Sequence, residues 1–163
     1  MITKLYDSFE EIWERYSVII SILVGILFGV FYKFGFVTNV RSVTGNIVML
    51  ASIVIGVNGV FLTLVITLQE SPAFLRLREF FPTFQERLYI SLRNQIHYAL
   101  VVVIISIFIN ILPPSPNIYF SSIGVSIWFI FFTLMGVGSF ISVKLVTDII
   151  VKSFDLPTRK RRQ

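Results

Sequence analysis

The charged residues of this chain are spaced so unevenly that the gaps between them decide what it can fold into. Arg15 to Lys33 encloses 17 uncharged residues, Arg41 to Glu70 encloses 28, and Arg93 to Lys144 encloses 50. A helix needs roughly 20 apolar residues to cross a bilayer, so the first two gaps hold one crossing each and the third holds two. The stretch LPPSPN, Leu112 to Asn117, divides the third gap. Its prolines remove backbone donors and disfavour helix in the residues before them, which makes it the turn of a helical hairpin. A soluble domain of this size could not bury so much apolar chain, since 55% of the 163 residues are hydrophobic and only 14% charged. The expected fold is an all-α integral membrane protein with four transmembrane helices and short cytoplasmic amphipathic helices.

The expected boundaries place an amphipathic helix at 1–15 and a four-helix transmembrane bundle at 16–154, followed by a basic tail at 155–163. Within the bundle the spans lie near 16–32, 43–69, 94–112 and 118–143, with a cytoplasmic loop at 70–93. Cytoplasmic flanks hold the excess of Lys and Arg. With both termini cytoplasmic, 12 of the 14 basic residues fall inside, and only Lys33 and Arg41 lie outside. Residues 1–15 carry four acids and end in an Arg, the opposite of a signal-peptide n-region, so the first span is expected to stay in the mature protein. The chain has no cysteine, which rules out disulfides, thiolate metal sites and cysteine nucleophiles. A small, basic, cysteine-free, multi-pass chain of this kind fits a bacterial inner membrane best.

Two segments outside the spans are written as helices with a purpose. Ile2, Leu5, Phe9, Ile12 and Tyr16 recur at steps of three and four, with Asp7, Glu10, Glu11 and Glu14 on the other side and Trp13 beside the apolar stripe. The acidic face points to a protein partner more than to anionic lipid. The loop QESPAFLRLREFFPTFQERL, Gln69 to Leu88, carries an N-cap pair at Ser71 and Pro72 and a capping box from Thr83 to Glu86, with Pro82 as a break. Phe74 and Phe81 belong to its apolar line, while Arg76, Arg78, Glu79 and Arg87 lie mostly off it. These six residues are the expected docking surface for a cytoplasmic protein. From Thr83 to Leu112 there is no breaker, so the second loop helix is expected to run into the third span; helix is likewise expected past Lys144 to about Phe154. In the tail, Arg159, Lys160, Arg161 and Arg162 are expected to contact anionic lipid; without interleaved aromatics, direct nucleic-acid binding is not expected.

Chemistry inside the membrane is sparse. The spans hold no Asp, Glu, Lys or Arg, and the first span lacks the carboxylate on which small multidrug transporters depend. Lys144 and Asp148 stand one turn apart at the inner edge of the fourth span and are expected to pair. His97 is the single histidine, with no second ligand type beside it. No phosphate loop, catalytic triad or paired carboxylate occurs, so neither enzymatic activity nor a metal or other cofactor is expected. What remains is neutral: Gly25 and Gly29 form a small-xxx-small step, and Asn58 lies between Gly56 and Gly59. Such residues let helices approach closely and hydrogen-bond in lipid. For Asn58, packing within the bundle is weighed against a place at a subunit contact or pore; all five are expected candidates for a homo-oligomer interface.

A tetraspan layout with cytoplasmic helices, no catalytic groups and a greasy basic loop of the LQESPAFLRLREFF type resembles the membrane subunits of bacterial anti-phage operons, that of the Kiwa system most closely. The resemblance is one of layout along the whole chain. It implies a homo-oligomer in the inner membrane that senses infection and holds a cytoplasmic, nucleic-acid-binding partner. The expected function is therefore a non-enzymatic sensor and scaffold. The alternative is an oligomeric pore or holin-like effector that permeabilises the membrane, for which span two offers Asn46, Thr63 and Thr67, with Asn58 off that stripe.

Overall fold

The computed structural model describes the backbone of residues 2–68, 84–113 and 117–155, and side-chain surroundings for most of 12–67, 86–113 and 117–147. The described residues are all helical or in turns, without a strand. Four helices follow in chain order: α1 Ile2–Lys33, α2 Val40–Leu68, α3 Phe84–Ile111 and α4 Ile118–Asp155. Each contains a stretch long and apolar enough to cross a membrane: Arg15–Lys33, Val40–Thr67, Leu88–Ile111 and Ile118–Thr147. The unbroken run into the third span and the helix past Lys144 are both present. Of the loop helices, everything from Gln69 to Thr83 lies outside the described residues.

Local sequence sets the helix ends. α1 stops at a glycine in the left-handed region, Gly35 with φ 78°. Its amide donates to Tyr32 O at 3.1 Å while Phe36 N donates to Phe31 O at 3.0 Å. This is a Schellman closure, which satisfies carbonyls that the helix end would leave orphaned. α4 opens on Asn117, whose Oδ1 accepts from Tyr119 N at 3.0 Å, as an N-cap does. Inside α1 the backbone leaves helical geometry once, at Tyr16 (φ −126°, ψ 16°), where the acidic segment meets the apolar one. Beside that break Trp13 is buried, whereas Ile12 and Tyr16 of the expected apolar stripe are exposed.

The helices run up and down, so that α1 begins, α2 ends, α3 begins and α4 ends at one end of the bundle, here the near end. Consecutive helices need not be partners: α1 packs on α4, α4 on α3, α3 on α2, and α2 more lightly on α4. The main core lies among α2, α3 and α4, built from Ile47, Ala51, Ala99, Val102, Trp128 and Met135 with their neighbours. A second cluster of Val65, Leu88, Leu92 and Val146 joins the same three helices at the near end. At the far end Arg41 donates to Leu112 O at 2.6 Å, tying α2 to the end of α3, and Lys33 Nζ lies 4.8 Å from the Tyr119 ring centre. Large apolar side chains such as Leu23, Met49, Phe108, Ile123 and Phe140 point outward. Exposed apolar surface of this extent marks a membrane or protein contact.

Candidate functional site

α4 carries the polar chemistry, because each of the other helices reaches it through neutral polar or small residues. Against α1, Gly25 and Gly29 leave no room for a side chain: a Cβ on Gly25 would stand 2.6 Å from Ser126 O and against Ile130, and one on Gly29 would meet the Ser126 hydroxyl. Ser122 Oγ donates to Gly29 O at 2.6 Å, and Phe28 stacks on Phe129 with ring centres 4.0 Å apart. Against α2, Asn58 Nδ2 donates to Ser139 Oγ at 3.0 Å, both residues being buried. Against α3, Trp128 Nε1 donates to Ser106 Oγ at 2.9 Å, and the Ser91 and Ser142 hydroxyls lie 2.8 Å apart.

At the near end this polar seam opens into a cleft of about 470 Å³. Trp13 and Ser17 of α1 form one wall, Ser91, Asn94, Gln95 and Tyr98 of α3 the other, and Gly138 with Ser142 of α4 belongs to its floor. Gln95 reaches across to Gly138 so closely that a Cβ there would lie 2.7 Å from the amide carbon. The amide is 7% exposed as a residue, yet its Oε1 has no hydrogen-bond partner among the described residues. Apolar Leu88, Leu134, Ile141 and Leu145 complete the lining. Among the described lining residues none is charged, so the cleft can offer hydrogen bonds and apolar contact but no fixed charge or carboxylate.

The residues expected from sequence fall into three groups. Phe74, Arg76, Arg78, Glu79 and Phe81 of the docking surface and Arg159, Lys160, Arg161 and Arg162 of the tail lie outside the described residues. So do the side chains of Arg87, on the first turn of α3, and of Asp148, the expected partner of Lys144. Gly25, Gly29 and Asn58, expected at a subunit contact, all meet α4 of their own chain. Gly56 and Gly59 do not: a Cβ at either would meet nothing within 4 Å. Gln95, Ser139 and Ser142 were not singled out by sequence reasoning, which put Gln95 at the entrance of the third span, one residue past its expected start at 94.

No protein-family model, curated protein or solved structure matches this chain.

Proposed function

We propose that the protein is a non-enzymatic, homo-oligomeric scaffold of the bacterial inner membrane that docks a cytoplasmic protein, in the sensing role that its layout suggests for anti-phage defence. One observation carries the docking reading: the helices overrun their apolar stretches at the near end alone. At the far end α1, α2, α3 and α4 stop flush with their candidate spans. At the near end α1 starts at Ile2 although its span starts at Arg15, and α4 continues to Asp155 although its span ends at Thr147. At 1.5 Å per residue these overhangs are about 20 and 12 Å long. They make a protein platform on the side that the basic residues assign to the cytoplasm.

The outward face of α2 supports assembly. Gly45, Asn46, Ser52, Gly56, Thr63 and Thr67 share that exposed side, and the Ser52, Thr63 and Thr67 hydroxyls bond only carbonyls one turn back. Small and self-satisfied residues allow a second helix to approach closely. The same stripe is what favours a pore as the second reading, with Asn46, Thr63 and Thr67 lining an axis between subunits.

Reversing Arg76 and Arg78 together (Arg76→Glu, Arg78→Glu) separates the two. Docking expects loss of the co-purified partner with unchanged insertion, oligomer mass and membrane potential. A retained partner with an altered ion leak would replace the scaffold by the channel.

A further inference from the structure

The near-end cleft is better built than a gap left by imperfect packing. Its polar centre is a glutamine held against a glycine, with the unpartnered Oε1 in a residue 7% exposed. An unsatisfied buried acceptor costs about 1–3 kcal/mol, a cost that a ligand donor would remove. Burial limits what that donor can belong to. Gln95 lies two residues past the exposed Arg93 and shares the cleft with Trp13, which precedes the first candidate span, so the site is at the near-end edge of the bundle. A phosphate or ammonium seated on the buried Gln95 amide would be desolvated beside a lining with no described countercharge. The ligand's polar group is therefore neutral.

The rest of the cleft limits its body. Ile90 both lines the cleft and is exposed on the outer surface, so the cleft opens sideways at the near-end edge, where the surface of a bilayer would lie. Leu134, Ile141 and Leu145 offer apolar walls that water filling the space would leave wetted. About 470 Å³ is also a usual size for a small-molecule pocket. A hydroxyl is donor and acceptor at once, so it satisfies the Gln95 amide from either end. We propose that the cleft binds a neutral glycerolipid with a free hydroxyl, of the diacylglycerol class, with that hydroxyl on Gln95 and the first part of its chains against Tyr98 and Leu134. This site stands apart from the docking proposal, and neither requires the other.

The test uses the full chain in phosphatidylcholine nanodiscs and a diacylglycerol carrying a photoactivatable diazirine in one acyl chain. Saturable crosslinks should map to 88–98 and 134–145. Unlabelled diacylglycerol should compete, whereas its methyl ether and phosphatidylglycerol should not. Gln95→Leu should weaken binding about tenfold, the scale of one such hydrogen bond. Ser17→Phe narrows the cleft from the α1 wall without touching Gln95, and should abolish the crosslink; it serves as the deciding variant should Gln95→Leu not elute and unfold as a native protein. Labelling spread evenly over the outer surface, or none that saturates, means that only water occupies the cleft and overturns the proposal. Equal competition by phosphatidylglycerol or by the methyl ether overturns the neutral-hydroxyl assignment, and undiminished labelling of both variants overturns the site.

Discussion

The two seams on α4 differ in what brings the helices together. Along α1 the contact is made by absence: Gly25 and Gly29 have no side chain, so Ser122 and Ser126 of α4 approach the α1 backbone itself. Along α3 it is made by side chains meeting midway, Trp128 with Ser106, Ser91 with Ser142, and Gln95 with Gly138. Both seams border the cleft at the near end, α1 through Trp13 and Ser17 and α3 through Ser91, Asn94 and Gln95. In lipid, apolar surface gains little by leaving one apolar neighbour for another, so helices join where backbones can approach or polar groups can pair. Where Gln95 reaches over to Gly138 without a described hydrogen bond to α4, space remains beside it.

The harshest way to break this comparison is to give the α1 seam side chains. Gly25→Leu with Gly29→Leu drives atoms into Ser126 and Ile130, and overpacking of this kind should cost about 2–6 kcal/mol for the pair. Reversible unfolding in mixed micelles measures it, with α1 detached from α4 as the structural result. Gly56→Leu with Gly59→Leu is the control, since a Cβ at either position would meet nothing within 4 Å among the described residues. It should leave monomer stability within about 1 kcal/mol, as surface changes do, and lower the native mass of the assembly. If the two pairs exchange these outcomes, the glycine seam of α1 lies between subunits after all.

How much of this was legible in the sequence depends on which interaction was asked about. Charge gaps and LPPSPN led to four long apolar helices, the number the structure has among its described residues, because a bilayer admits few other solutions for long uncharged runs. Gly25 and Gly29 were legible as a close-approach step but not as an intramolecular one: a small-xxx-small spacing states that a helix comes near, without stating whose. The cleft was hidden for a related reason. Ser17 and Ser142 are 125 positions apart in the chain, and only the choice of α4 rather than α2 as the partner of α1 brings them to one opening. The α2 stripe fared better, since its faces follow from helical spacing alone: Asn58 is buried while Asn46, Thr63 and Thr67 are exposed.

A milder test addresses hydrogen bonding across the α2 contact. Ser139→Ala removes the oxygen that accepts from Asn58 at 3.0 Å and leaves a buried amide without that partner. Single interhelical hydrogen bonds in membranes contribute about 0.6–2 kcal/mol, so a loss in that range is expected from the same unfolding measurement. A loss above about 3 kcal/mol would mean that Asn58 supports more than one seam, as a buried donor left unpaired in a coupled network does.

The smallest expected change sharpens the contrast most. Gln95→Leu removes an amide whose oxygen has no partner and substitutes an apolar side chain of similar length beside Gly138. Were the amide there to hold α3 on α4, as Ser139 is there to hold α2, its removal should cost as much as Ser139→Ala. The amide makes no described hydrogen bond to α4, whereas Asn58 makes one, and this argues otherwise: the desolvation cost of the buried oxygen disappears with it, so stability in a lipid-free detergent should change by less than about 1 kcal/mol and in the direction of gain. In nanodiscs supplied with diacylglycerol the sign should reverse, because only the wild-type chain has the acceptor that binding stabilises. A loss of equal size in both media would make Gln95 a structural clasp, and the near-end opening would then be a by-product of the seam.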